Sequence, residues 1–236
     1  MRNSGHHHDL GLSNDWGTKK VVLGICGLAI TCIVIVLVAF ILDLDKLDKD
    51  PSKLYPWVLT LPQVILLITG YMLVNKNYYV PWSTLRFNKP QRKFFFVLAV
   101  LAVPLNLLIV AFFAALVANI GVDQLIPPQI PKSILGGGLL VLVNLVALTV
   151  WVPLIEETFF RGFLLQALVS RYGSGIAILI ISLIFAVSHL HVGVFVPVFF
   201  SSILISWLFV ASKSIWVPIL THSLQNLIVS VVAASA

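Results

Sequence analysis

Acidic charge is scarce in this chain. Nine of its 236 residues are aspartate or glutamate, and only two are glutamate, the neighbours Glu156 and Glu157. Charged residues of both signs make up 10% of the sequence, against about 25% in a soluble domain. That shortfall excludes an ordinary soluble globule. Cysteine occurs twice, at Cys26 and Cys32. The two lie six apart in one apolar run, on different helix faces, and read as buried thiols rather than a disulfide or a metal pair. There is no HExxH segment, and no serine or cysteine is flanked by a base in a triad-like arrangement. Ser188 precedes His189, but adjacent side chains do not face each other on a helix.

What fills the space is apolar. Hydrophobic residues make up 59% of the chain and its mean hydropathy is +1.04. Several apolar runs reach the ~20 residues that a helix needs to cross the hydrocarbon core. The runs are continuous rather than alternating, which excludes an outer-membrane barrel. The expected fold is all-α, a polytopic transmembrane bundle of about seven or eight membrane helices.

The expected spans are Val21–Leu42, Trp57–Val74 (interrupted by Pro62 and Gln63), and Phe94–Ala118 with a proline, Pro104, that can kink it. A fourth apolar stretch opens at Leu139 behind three glycines, passes Pro153 and continues in helical pattern to Arg171. At 1.5 Å per residue that stretch is about 50 Å long, so it is either a kinked, tilted helix or a span followed by a partly inserted one. Ile176–His189, Val194–Val210 and Ile215–Ala236 follow. Residues 1–20 form a polar tail, and the first apolar run is long enough to remain as an anchor rather than a cleaved signal. Residues 21–236 read as a single membrane domain with a motif-bearing core at 139–236. His6, His7 and His8 could bind metal, but in such a tail they read more simply as incidental.

Basic residues orient the chain. With the tail inside, the inside segments hold 11 of the 15 lysines and arginines, including Arg86, Lys89, Arg92, Lys93, Arg161, Arg171 and Lys213. Positive residues favour the cytoplasmic side, so the amino terminus is expected there. The net charge of +6 then reflects topology and contact with membrane lipids, and no nucleic-acid partner is expected.

Polar residues at bilayer depth need a partner or a purpose. Glu157 and Arg161, four apart, share a helix face and can pair. Glu156 points about 100° away from Glu157. Glu157 would thus be held ionised by Arg161, while Glu156 has the environment of a general base. The alternative is that both glutamates merely neutralise Arg161 in an inert core. His189 ends the run from Phe185, where a histidine often serves as a cap; His191, in the loop beyond, reads as having no special role. His222 and Asn226 are four apart on one face of the last span. Such a pair can act as interhelical glue, but a Glu pair, an Arg, two His and an Asn on three helices are hard to account for as packing alone.

Glu156-Glu157-Thr158-Phe159-Phe160-Arg161 fits E-E-x-x-x-R, Phe185–His189 fits F-x-x-x-H, and His222–Asn226 fits H-x-x-x-N. In that order, within apolar helices, the three motifs resemble the CPBP family of type II CAAX prenyl proteases and bacteriocin-processing intramembrane enzymes. The resemblance covers Leu139–Ala236 and leaves the first three spans unmatched. It implies a glutamate-dependent endopeptidase with no cofactor and no metal. Glu156 would activate a water, His189 would orient it, and His222 and Asn226 would stabilise the oxyanion. Glu157, Arg161 and Phe185 would support the site. The substrate would be a peptide or protein, lipidated or membrane-embedded, in a prokaryotic plasma membrane. Two alternatives remain at this point: Glu156, His189 and His222 as zinc ligands, or a silent peptide-binding or immunity protein using the same cavity.

Overall fold

The computed structural model describes residues 18–42, 55–75, 82–128, 130 and 135–235. His6–His8 of the tail lie outside them, as do residues 43–54 between the first two helices and 76–81 after the second. The described chain is all-α, with no strand. Helix α1 spans Thr18–Leu42, α2 Tyr55–Asn75 and α3 Phe94–Ile120, the last running through Pro104. After a short 3-10 turn, α4 (Leu139–Val146) passes into a π-helical segment, Ala147–Trp151, then α5 (Val152–Glu157). A second π-helical segment, Thr158–Leu165, leads into α6 (Gln166–Ser188), followed by α7 (Val192–Ser212) and α8 (Trp216–Ser235).

Among the described residues, four helices are long and apolar enough to cross a membrane: Phe94–Ile120, Leu139–Ser188, Val192–Ser212 and Trp216–Ser235. Shorter apolar stretches occur at Val21–Leu37 and Thr60–Tyr71. The fourth expected stretch is one continuous helical path rather than a span that Pro153 breaks. Leu139–Ser188 has 50 residues, about 75 Å at 1.5 Å per residue, which exceeds any single crossing. Gly173 divides it, with φ 75° and ψ 167° in the middle of α6. Only glycine enters that region at no steric cost, so the expected stop at Tyr172-Gly173 is realised as a sharp bend.

The polarity of the bundle is reversed relative to a soluble protein. Leu101, Leu108, Phe112, Leu142, Val187 and Val232 face outward. Asn106, Asn144, Glu157, Arg161, Gln166, Ser182, Ser202 and Ser206 are buried. In lipid the apolar exterior costs nothing, whereas each polar group must be satisfied inside. Cys26 is on the outer surface and Cys32 half-buried, so the expectation that both thiols are buried fails for Cys26. The first-span helix simply presents that face outward.

The core is centred on the second π-helical segment. Phe159, Phe160, Phe163, Leu164 and Leu165 are all buried and pack with Leu28 of α1, Leu66 of α2, Ile181 and Phe185 of α6 and Phe209 of α7. Helix α2 lies along α5 and both π-helical segments, and α8 lies along α5, α3 and α7. Small residues permit the close approach of α1 and α2: a side chain at Gly27 would overlap Thr69. The motif-bearing helix is therefore enclosed by α2 on one side and by α6, α7 and α8 on the other.

Candidate active site

Two adjacent carboxylates on one helix face different neighbours. Arg161 Nη1 donates to Glu157 Oε1 at 2.9 Å, both side chains being 0% exposed. The same oxygen lies 2.8 Å from Nδ1 of His222, on α8. Glu156 instead accepts a hydrogen bond from Nε2 of Gln63, on α2, at 2.9 Å. The angular separation read from the sequence is thus realised, with Glu157 in an ionic cluster and Glu156 held by a neutral amide.

Arg161 is fully enclosed and richly bonded. Besides Glu157, its Nη2 donates to Ser202 Oγ at 2.8 Å and its Nε to Ser206 Oγ at 3.3 Å. Its guanidinium carbon sits 4.5 Å from the centre of the Phe185 ring. A buried guanidinium is tolerable only when its charge is paired and its fork of donors is occupied. Ser202 and Ser206 supply that from α7, four apart on one face, a spacing in an otherwise apolar run that could have flagged them from sequence.

Phe185 joins the pieces. Its ring meets His189 edge-on at 4.8 Å, His222 at 6.2 Å and Phe160 at 4.8 Å. The phenylalanine of the second motif therefore sets the position of both histidine rings and covers the arginine. The structure so links Glu157, Arg161, Phe185, His189 and His222 through direct contacts, with Glu156 next to them on the helix.

The histidines have different local roles. His189 Nδ1 lies 2.8 Å from the carbonyl oxygen of Phe185. A carbonyl only accepts, so this nitrogen carries the proton and Nε2 is left as an acceptor. Ser188 Oγ donates to the same carbonyl at 2.8 Å, which turns it away from any nucleophilic role beside His189. His191 caps α7, its Nδ1 accepting from the Gly193 amide at 3.1 Å, in line with its modest reading from sequence. His222 Nδ1 is likewise committed, to the Glu157 carboxylate at 2.8 Å, which leaves Nε2 for other partners.

Asn226 has a backbone partner that the sequence did not reveal. Its Nδ2 donates to the carbonyl of Leu148, in the first π-helical segment, at 2.9 Å. The reason is a missing donor. The Val152 amide, which would serve Leu148 in an α-helix, bonds to Ala147 in the π register. The next amide along belongs to Pro153, which has no N–H. Asn226 thus fills the gap left by Pro153, using one of its two N–H groups and leaving the other available.

Among the described residues, no three His, Cys, Asp or Glu side chains are grouped so as to hold one metal ion.

Residues 138–228 match the family profile described as type II CAAX prenyl endopeptidase, Rce1-like. The matched segment begins just before α4, ends within α8 and contains all three motifs; α1, α2 and α3 lie outside it. No curated protein and no solved structure matches the chain.

Proposed function

We propose, from the match of residues 138–228 to the family described as type II CAAX prenyl endopeptidase, Rce1-like, that the chain hydrolyses a peptide bond within the membrane by activating water on Glu156. The observation that carries this reading is the division of labour between the glutamates. Glu157 is paired through its Oε1 with both Arg161 and His222, whereas Glu156 is bonded by a neutral amide and keeps its carboxylate for proton transfer.

In this mechanism Glu156 removes a proton from a water as the water oxygen attacks the scissile carbonyl carbon. His189 Nε2 accepts the water's other proton in a hydrogen bond and fixes its direction. The carbonyl oxygen becomes an oxyanion, which His222 and the second N–H of Asn226 stabilise. The C–N bond then breaks, and Glu156 passes its proton to the departing amine. Phe185 and Glu157 act by holding the two rings.

The substrate is a peptide or protein segment, lipidated or embedded in the bilayer. The excess of basic residues on one side orients the amino terminus to the cytoplasm of a prokaryotic cell, in a bundle of about seven or eight membrane helices. The test is a mass-spectrometric comparison of peptides from cells expressing the wild type and Glu156→Ala. Termini generated only by the wild type support the reading. Identical peptide sets would leave a binding protein in its place.

Asn226→Ala is expected to lower turnover by roughly 10²–10³ with little change in substrate binding, as for removal of one oxyanion donor. It also strands the Leu148 carbonyl, so thermal stability falls too, by about 1–3 kcal/mol for an unpaired buried group. Chelators that strip catalytic zinc are expected to leave cleavage unchanged. One equivalent of zinc by elemental analysis, lost with activity on chelation, would overturn the glutamate mechanism.

A further inference from the structure

The first three helices lie outside the matched family segment, yet one of them reaches the reacting carboxylate. Gln63, on α2, is 6% exposed, and its Nε2 donates to Glu156 Oε1 at 2.9 Å across 93 residues of sequence. Its own Oε1 is buried with no hydrogen-bond partner among the described residues. A buried amide normally satisfies both ends, so half of this one is held in reserve. The orientation is chemically fixed, because a carboxylate cannot donate and only the NH₂ end can face it. The amide is planar, which puts Oε1 two bonds from Nε2 and so beside the carboxylate as well.

We infer that Gln63 is a positioning residue of the peptidase site: its N–H aims the Glu156 carboxylate, and its unpartnered oxygen offers an acceptor to the water that Glu156 activates. The inference rests on the reading of Glu156 as the base. It also gives α2 a function that hydrophobicity alone does not, since this helix lies along α5 and supplies one wall of the site. The competing account is that Gln63 only glues α2 to α5.

The two accounts separate in kinetics. A hydrogen bond to a carboxylate stabilises its ionised form, so removing the donor moves the acid limb of the kcat/KM profile to higher pH. The other ionisable groups around Glu156 are Glu157 and Arg161 on its own helix, His189 on α6 and His222 on α8; α2 and α7 carry no charged residue or histidine. All are common to the wild type and the variant, so a shift between the two belongs to Gln63.

The test uses the full-length protein purified in detergent and an internally quenched synthetic copy of a peptide that wild-type cells cleave and Glu156→Ala cells do not. Gln63→Met keeps length and removes the amide; Gln63→Asn keeps the amide but withdraws it by one methylene. Both are expected to lower kcat by about 10- to 100-fold, the rate equivalent of one hydrogen bond to a charged group. KM should change less than about threefold, and in Gln63→Met the acid limb should rise by about one pH unit. Wild-type kcat and profile in both variants, with Glu156→Gln inactive, would overturn the role of Gln63 alone. A lower unfolding temperature with an unchanged pH profile would show glue and overturn it equally. Full activity in Glu156→Gln would instead remove the base on which the inference stands.

Discussion

Glu156→Gln is expected to reduce peptide cleavage by ~10²–10⁴-fold, the usual contribution of a general base, while the unfolding temperature in detergent stays that of the wild type. The substitution keeps shape and volume and takes away only the ability to accept a proton. The Gln63 bond survives it, because an amide oxygen at position 156 still accepts from Gln63 Nε2. Arg161 does lose part of its electrostatic support, but the larger part comes from Glu157, which also bonds it directly. The loss should therefore appear in turnover and not in stability. A Glu156→Gln protein with full activity would sink the base assignment, and with it the mechanism built on it.

Arg161→Ala should show the opposite pattern, a loss of stability near ~3–5 kcal/mol, as when one partner of a buried ion pair is removed. Glu157 is 0% exposed and would keep only the His222 ring as a hydrogen-bond partner. Ser202 and Ser206 would lose the donors that reach them from the guanidinium, and the face of Phe185 would lose its cation. Because Phe185 touches both histidine rings, its relaxation would also misplace His189 and His222. Thermal or denaturant unfolding of Arg161→Ala beside Glu156→Ala reads the difference directly. Equal stability of the two would contradict the separate roles of the neighbouring glutamates. Arg161→Lys is expected to recover part of the stability but not all of it, since one ammonium group cannot occupy the three acceptors that the fork spans.

Some of this molecule is a property of the chain read locally. Run length and the near absence of charge set the class, and the helix limits follow the apolar runs to within a few residues: Val21–Leu42 was expected and α1 spans Thr18–Leu42; Val194–Val210 was expected and α7 spans Val192–Ser212. The Glu157–Arg161 pair was legible because a spacing of four fixes neighbours on any helix. The different directions of Glu156 and Glu157 follow from the same geometry.

Tertiary packing decided the rest. That Glu156 meets Gln63, and Glu157 meets His222, depends on how α2 and α8 are rotated about their own axes against α5, and no local spacing encodes a rotation. Asn226 looked free to serve an oxyanion from sequence; one of its N–H groups is spent on Leu148 because Pro153 and a π register together orphan a carbonyl on another helix. Gln63 stood out only as a polar interruption of a span, and Ser202 and Ser206 as small residues in an apolar run. Each acquires meaning from the group it faces across the bundle. In lipid an unpaired group is costly, since a buried charge or amide has no bulk water to turn to. The sequence can therefore announce that such groups must find partners, while only the packed helices determine which partners those are.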